Sequence, residues 1–219
     1  MMRWLVRGAY GLVALIAFST LAFAVFQPIK VLPRAGLGPG ILLQDQEGRT
    51  LSSDTLRGKI VLYSFGFSRC ETPCQGSQAV MQAVQRELQA GTGSVPVQLV
   101  TISFDPATDT PAVLRRMSAQ AGADPAHWLF TTGEPRRLKY AIGGGFSVYY
   151  GANEEGSFDY DPAMVLIDGW GILRAEYRTP TPKIETVLRD VRLLVEEAQN
   201  STGVARYAYE AAHLFLCYP

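Results

Sequence analysis

Residues 60–74, with the sequence IVLYSFGFSRCETPC, decide how this chain folds. The run 60–67 is apolar almost throughout, which is typical of a β-strand buried on both faces of a sheet. It leads to two cysteines, Cys70 and Cys74, and then to apolar residues at helical spacing as far as Gln89. The pattern therefore predicts two sulfurs at a strand-to-helix turn. A helix N-terminus favours the thiolate form of cysteine, and the thiolate is both the nucleophile and the soft metal ligand.

The composition excludes several classes of function. The chain has 219 residues, enough for one sizeable domain with appendages. Lys plus Arg and Asp plus Glu both total 20, and there is no basic stripe, so we do not expect a nucleic acid as partner. Three cysteines are too few for a disulfide scaffold, and two histidines leave little material for an imidazole-based zinc or iron site.

Residues 1–34 are expected to be a membrane anchor and a tether. Arg3 and Arg7 precede an uncharged stretch, residues 8–29, and about 20 apolar residues suffice to span a bilayer. Arginines on that side place the N-terminus in the cytoplasm and the domain on the extracytoplasmic side. The alternative is a cleaved signal peptide, with the cleavage site at residues 22–24 (AFA). Both alternatives export the domain to an oxidising compartment, where paired cysteines can cycle.

Strand and helix patterns alternate over residues 35–199, which we predict to be the domain. Their order predicts an α/β fold with a mixed central sheet flanked by helices. A glycine run at 143–145 follows a helix rather than a strand, so we expect a loop there and not a phosphate-binding turn. Residues 200–219 are predicted to form an apolar helical tail. The predicted strands are 60–67, 97–104, 128–132, 164–168 and 172–177, and the predicted helices end near 89, 121, 142 and 198.

Several segments resemble the Sco/SenC family, membrane-anchored proteins that help to build the copper centre of cytochrome c oxidase. The cysteine loop resembles the Cys-x-x-x-Cys motif of that family, and the matches run from about residue 41 to 198. They include residues 56–59 (LRGK), 67–70 (FSRC), 102–106 (ISFDP), 109–111 (DTP), 127–128 (HW) and 166–168 (LID). The resemblance implies a thioredoxin-like fold behind an N-terminal transmembrane helix.

The resemblance also implies a copper site. In the family, two cysteine sulfurs and one histidine hold Cu(I), so Cys70 and Cys74 are the expected metal ligands, and soft thiolates select Cu(I). The histidine lies eight positions before the aspartate of the Leu-Ile-Asp strand, which is Asp168 here. Counting back from Asp168 reaches Tyr160. We therefore predict that the histidine is replaced by a phenol, a poor ligand for Cu(I).

Pro162 is a second departure from the family. It stands six residues before Asp168, where thioredoxin-like redox proteins carry a cis proline that faces the cysteines. We therefore count it as a candidate catalytic residue together with Cys70 and Cys74. The alternative is an ordinary turn proline that starts a strand, and the sequence does not show the isomer.

Other side chains with metal-binding chemistry have simpler explanations. His127 matches a surface or packing position of the family. His213 and Cys217 are four residues apart and would share a face of a helix, but an apolar helix that docks on the domain, a membrane or a partner explains them equally. Three methionines fit core filling better than copper ligation. They are Met81, Met117 and Met164.

The sequence is compatible with three functions. The first is assembly of the copper centre of a respiratory oxidase, with Cys70 and Cys74 binding Cu(I) or reducing the cysteine pair of the partner to thiols. The second is thiol–disulfide exchange of the thioredoxin type, in which Cys70 attacks a partner disulfide and Cys74 resolves the mixed disulfide. The third is a non-catalytic accessory subunit of a respiratory or electron-transfer complex in the membrane. A static disulfide is the alternative to a cycling cysteine pair. The sequence therefore does not determine whether the protein is an enzyme.

Overall fold

The computed structural model describes residues 2–26, 29–91, 95–203 and 205–215. The chain divides into two compact units. Residues 34–199 form one unit, which carries the sheet and both cysteines of the loop. Residues 1–33 and 200–219 form the other.

The helices and strands alternate in the described part of the chain. In chain order they are α1 (Met2–Phe26), β1 (Gly36–Leu37), β2 (Leu42–Asp45), β3 (Thr50–Ser52), β4 (Ile60–Gly66), α2 (Thr72–Gln89), β5 (Val97–Ser103), α3 (Pro111–Gln120), β6 (Trp128–Thr132), α4 (Pro135–Leu138), a π-helical segment (Lys139–Gly145), β7 (Tyr150–Ala152), β8 (Phe158–Tyr160), β9 (Met164–Ile167), β10 (Ile172–Tyr177), α5 (Ile184–Asn200) and α6 (Ala205–Phe215).

Eight of the strands form one mixed sheet in the order β1-β10-β9-β4-β5-β6-β2-β3. The central strands β4, β5 and β6 run parallel, and the other neighbours in the sheet are antiparallel. Parallel neighbours need a crossover connection, which α2 and α3 supply. The predicted mixed α/β sheet flanked by helices is confirmed.

Strand β4 is buried on both faces along its whole length, as its apolar run predicts. Because side chains alternate along a strand, Val61, Tyr63 and Phe65 share one face. They pack in a hydrophobic core that also contains Ile142 and Phe146. A shift of register by one residue would move each side chain to the opposite face of the sheet. The end of β4, and with it the start of the cysteine loop, therefore has a defined position.

Two segments differ from the sequence prediction. The glycine run 143–145 closes the π-helical segment that continues α4, where we expected a loop. A Cβ atom at Gly145 would overlap Pro39, so glycine permits this close packing. Residues 150–160 contain the β7–β8 hairpin, which the sequence pattern did not predict.

The second unit contains α1 and α6. The predicted transmembrane helix is not shown by the structure. Among the described residues, no helix is both long enough and apolar enough to cross a membrane.

Candidate functional site

The two loop cysteines lie at the carboxyl end of β4, where the chain turns into α2. A disulfide bond joins Cys70 to Cys74. The Cys70 N–H donates to the Phe67 carbonyl at 3.1 Å, and the Cys74 N–H donates to the Glu71 carbonyl at 3.2 Å. Both cysteines are half-buried, so each keeps part of its surface exposed. The predicted strand-to-helix turn therefore presents a disulfide at the protein surface.

Cys74 packs directly against the last residue of β4. A Cβ atom added to Gly66 would lie 2.7 Å from Cys74 Sγ, which is closer than real Cβ contacts occur. Glycine at this position leaves the space that the sulfur fills. Strand β4 thus encloses Cys74 on one side.

The hydroxyl of Tyr160 contacts both sulfurs. Its oxygen lies 3.2 Å from Cys74 Sγ and 3.6 Å from Cys70 Sγ. Because disulfide sulfurs carry no hydrogen, the phenol is the donor in these contacts. Burial raises the pKa of Tyr160 to about 12, so its phenol keeps the proton at neutral pH. The site therefore contains a neutral hydrogen-bond donor beside the two sulfurs.

Tyr160 is held by the β7–β8 hairpin and by a cluster of aromatic rings. Tyr150 pairs with Tyr160 across the hairpin. The ring of Phe104 packs against the ring of Tyr160 at a centroid distance of 5.1 Å. Phe104 also contacts Tyr150 at 4.9 Å and Phe67 at 5.3 Å, and aromatic pairs at such distances are favourable. Packing of several rings therefore sets the position of the hydroxyl.

Tyr160 is located in the sequence by its spacing from Asp168, whereas the hairpin that carries this residue was not predicted. Two signals for the hairpin are present in the sequence. Asn153 and Gly156 form its turn, and Gly156 has a φ of 71°, which favours glycine. Alternating aromatic residues at 158 and 160 follow the turn, as in a short strand.

Arg69 connects the cysteine loop to the tip of this hairpin. Its guanidinium donates to the Gly156 carbonyl at 2.8 Å and forms an ion pair with Asp105 at 2.9 Å. Asp105 is buried, so this ion pair anchors the arginine in the protein. Arg69, directly before Cys70, therefore connects the hairpin to the cysteine loop beside the disulfide.

Asp109 holds the cysteine loop from the interior. Its Oδ2 atom accepts a hydrogen bond from the Ser68 N–H at 3.0 Å and another from the Ser103 hydroxyl. The side chain is fully buried, and its Oδ1 atom has no hydrogen-bond partner among the described residues. This is the aspartate of the Asp-Thr-Pro segment noted in the sequence. Its contacts show that the segment supports the loop that carries Cys70.

A cavity of about 150 Å³ borders the disulfide and is lined by both cysteines, Met117 and Trp128. Sites for small molecules typically measure about 300–1,000 Å³. The cavity beside the sulfurs is therefore smaller than a typical small-molecule site.

A match to a known protein family identifies the family of this chain. The family model described as SCO1/SenC matches residues 34–196, which is more than half of the chain. The chain belongs to the SCO1/SenC family. Within the family it is 33% identical over 90 residues to the SCO1 protein homolog of Bacillus subtilis. That match covers 41% of this chain and 46% of the Bacillus protein, less than half of the relative's length.

Two solved Sco structures share the fold of this SCO1/SenC chain. ScoI of Arabidopsis thaliana, solved with copper bound, has 22% identity and a TM-score of 0.63, and the match covers 74% of this chain and 99% of ScoI. BsSco is described as a member of the Sco family of cytochrome c oxidase assembly proteins, with a disulfide switch. It has 19% identity and a TM-score of 0.63, with 76% of this chain and 98% of BsSco covered. At these identities the likeness concerns the fold.

Pro162 follows β8 in this SCO1/SenC protein and is partly exposed. All peptide bonds in the described ranges are trans. A cis proline facing the cysteines is therefore not found, and the geometry agrees with the alternative of a turn proline. A catalytic part for Pro162 stays a prediction.

Among the other metal-ligand candidates, Met117 lies beside the disulfide. Within the described ranges, no group of three or more His, Cys, Asp or Glu side chains is arranged to hold a metal ion. His213 lies in α6, in the other unit, and Cys217 lies outside the described residues. The carbonyl of His127 accepts a hydrogen bond from the Leu99 N–H at 2.7 Å, a role within the sheet. Of the methionines, Met81 and Met164 are fully buried in the core and Met117 lines the cavity.

Replacing Gly66 with alanine is expected to disfavour the disulfide. The new Cβ would meet Cys74 Sγ, which can rotate away only when the disulfide is reduced. Overpacking typically costs about 1–3 kcal/mol, so the equilibrium constant for disulfide formation should fall roughly 5- to 150-fold. Thiol alkylation and mass spectrometry of the full-length protein, after equilibration in glutathione buffers, measure this constant. Gly143→Ala is the control, because nothing lies within 4 Å of a Cβ there, and equal constants for the two variants would contradict the packing explanation.

Proposed function

We propose that this SCO1/SenC protein acts in the assembly of the copper centre of a respiratory oxidase by thiol–disulfide exchange through Cys70 and Cys74. The observation that carries the proposal is the half-buried disulfide in contact with the Tyr160 hydroxyl. The description of BsSco as a cytochrome c oxidase assembly protein with a disulfide switch supports the link to an oxidase. The proposed partner is an oxidase or electron-transfer subunit whose copper-binding cysteines must be reduced before they bind metal, because only thiolates are ligands.

The exchange needs the two cysteines of this protein and a cysteine pair on the partner. The Cys70 thiolate of the reduced protein attacks one sulfur of the partner disulfide, forms a mixed disulfide and releases the other partner sulfur as a thiolate. The Cys74 thiolate then attacks Cys70 Sγ, which restores the Cys70–Cys74 disulfide and releases the second partner thiolate. Two electrons pass to the partner, and its pair is left reduced.

The surroundings of the two cysteines support this division of roles. Cys74 lies on α2, packs against Gly66 and is the nearer of the two sulfurs to the Tyr160 hydroxyl. Cys70 lies in the loop before the helix, between the exposed residues Arg69 and Glu71. We therefore assign the attack on the partner disulfide to Cys70.

Transfer of Cu(I), with copper as cargo, is a second candidate function. After reduction, Cys70 and Cys74 offer two soft thiolates, and this donor set fits two-coordinate Cu(I). The third group at the sulfurs is the phenol of Tyr160, a poor ligand for Cu(I), so the described residues do not fit a three-coordinate site. The structure of Arabidopsis thaliana ScoI with copper bound favours this candidate.

We also propose that the N-terminal segment holds the domain at a membrane, on its extracytoplasmic side. The support comes from the uncharged stretch 8–29 behind two arginines and from exposed apolar side chains on α1, such as Trp4, Leu12 and Phe18. Exposed apolar surface of this kind marks contacts with a membrane or a protein.

The full-length chain should stay in the membrane fraction through an alkaline wash, and its release into the supernatant would contradict anchoring.

A Cys74→Ser variant is expected to trap the partner. Without the second thiolate, the mixed disulfide at Cys70 cannot be resolved and should accumulate. The reduced full-length variant would be mixed with the oxidised copper-binding domain of the oxidase subunit. Non-reducing electrophoresis and mass spectrometry should then show most of the variant in a covalent complex and only traces of wild type.

Cys70→Ser is the matched control and should form little complex. Absence of the complex with Cys74→Ser would contradict thiol exchange as the function. An anaerobic Cu(I) competition titration of reduced wild type then tests the second candidate. One tightly bound equivalent that both serine variants lose would support copper transfer, whereas the absence of binding as well would leave the accessory-subunit interpretation.

A further inference from the structure

The Tyr160 hydroxyl lies at different distances from the two sulfurs. Its oxygen is 3.2 Å from Cys74 Sγ and 3.6 Å from Cys70 Sγ, and a single hydroxyl proton is directed mainly to the nearer acceptor. Cys74 Sγ is also the sulfur that packs against the backbone of Gly66. The structure therefore distinguishes the two half-buried sulfurs by their distance from the hydroxyl and by the contact of Cys74 with Gly66.

We propose that Tyr160 is a catalytic residue whose hydroxyl stabilises Cys74 as the leaving thiolate, so that incoming thiolates attack Cys70. This inference rests on the proposed thiol exchange and names the group that directs the return step, in which an incoming thiolate reduces the Cys70–Cys74 disulfide again. It gives the phenol a task that differs from metal ligation.

The chemical step explains why the hydroxyl accelerates the reaction. When an incoming thiolate attacks Cys70 Sγ, a new S–S bond forms at Cys70 and the Cys70–Cys74 bond breaks. The electron pair of the broken bond goes to Cys74 Sγ, which becomes a thiolate. The Tyr160 hydroxyl then donates to a negative charge instead of a neutral sulfur, and hydrogen bonds to charged groups are stronger. An interaction that strengthens toward the transition state raises the rate.

Attack on the other sulfur would be less favourable. It would place the negative charge on Cys70 Sγ, at the longer distance from the hydroxyl. The positive charge of Arg69 is paired with Asp105, which reduces the stabilisation that the guanidinium offers to Cys70. The surroundings of both sulfurs therefore favour Cys74 as the leaving group.

The hydroxyl is fixed before the reaction begins. The Tyr160 ring packs against Phe104, the strand that carries it pairs with Tyr150, and Arg69 holds the hairpin tip at Gly156. A donor that is already aimed at the developing charge needs no reorganisation during the step. The hairpin is thus the support of a directed hydrogen-bond donor.

Tyr160→Phe tests the proposal, because it removes only the hydroxyl. The oxidised full-length protein in mild detergent would react with reduced glutathione, followed by acid quench, alkylation of free thiols and peptide mapping. Wild type should carry glutathione on Cys70 and the alkyl group on Cys74. The variant should react roughly 10- to 100-fold more slowly, the range expected for a lost hydrogen bond to a charged group, and its preference for Cys70 over Cys74 should fall by a similar factor.

Tyr149→Phe is the matched control, since Tyr149 is exposed at the base of the same hairpin. It should keep the wild-type rate and preference. The proposal is overturned if Tyr160→Phe behaves like wild type, or if wild type carries glutathione on Cys74. A slower Tyr160→Phe variant with an undiminished preference for Cys70 would also overturn it, because a packing defect alone slows exchange without changing which sulfur is attacked. Glutathione replaces the oxidase subunit in this assay, so the result is separable from failure of the partner trap.

Discussion

Strand β4 is covered on both faces, and this burial fixes the position of the groups attached to its carboxyl end. Its last residue, Gly66, provides the surface on which Cys74 Sγ packs. Because β4 and β5 are parallel, the loops that follow them meet at one edge of the sheet. Asp109, beyond β5, can therefore hold the cysteine loop through the Ser68 N–H. These buried contacts therefore set the position of the disulfide.

The chemistry of the site depends on which side chain lies beside the two sulfurs. A histidine there would offer a third ligand to Cu(I), whereas the Tyr160 phenol offers a proton in a hydrogen bond. The same cysteine pair is suited to Cu(I) binding and to thiol–disulfide exchange, and the phenol favours exchange. A pair that meets a neutral donor is better equipped to stabilise a leaving thiolate than to retain a metal ion. The proposed thiol exchange in copper-centre assembly is consistent with both the SCO1/SenC fold and the phenol.

The parts of the fold that were predictable from sequence are those with a strong local pattern. The apolar run of β4 and the helical spacing after Cys74 identify a strand-to-helix turn without further information. The β7–β8 hairpin was missed because its strands have three residues each and depend on aromatic contacts with distant rings such as Phe104. The roles of Arg69 and Asp109 also depend on partners brought together by the sheet. Pro162 was ambiguous, since a residue name does not determine the isomer of its peptide bond.

The reduction potential of the Cys70–Cys74 pair in the full-length protein distinguishes a cycling pair from a static disulfide. It can be measured by equilibration with glutathione and dithiothreitol buffers, with the free thiols counted by mass spectrometry. A pair that exchanges with a partner should have a potential of about −180 to −270 mV, within the range of thiol–disulfide exchange proteins. A value below about −300 mV, which is typical of structural disulfides, would contradict exchange as the function of these cysteines.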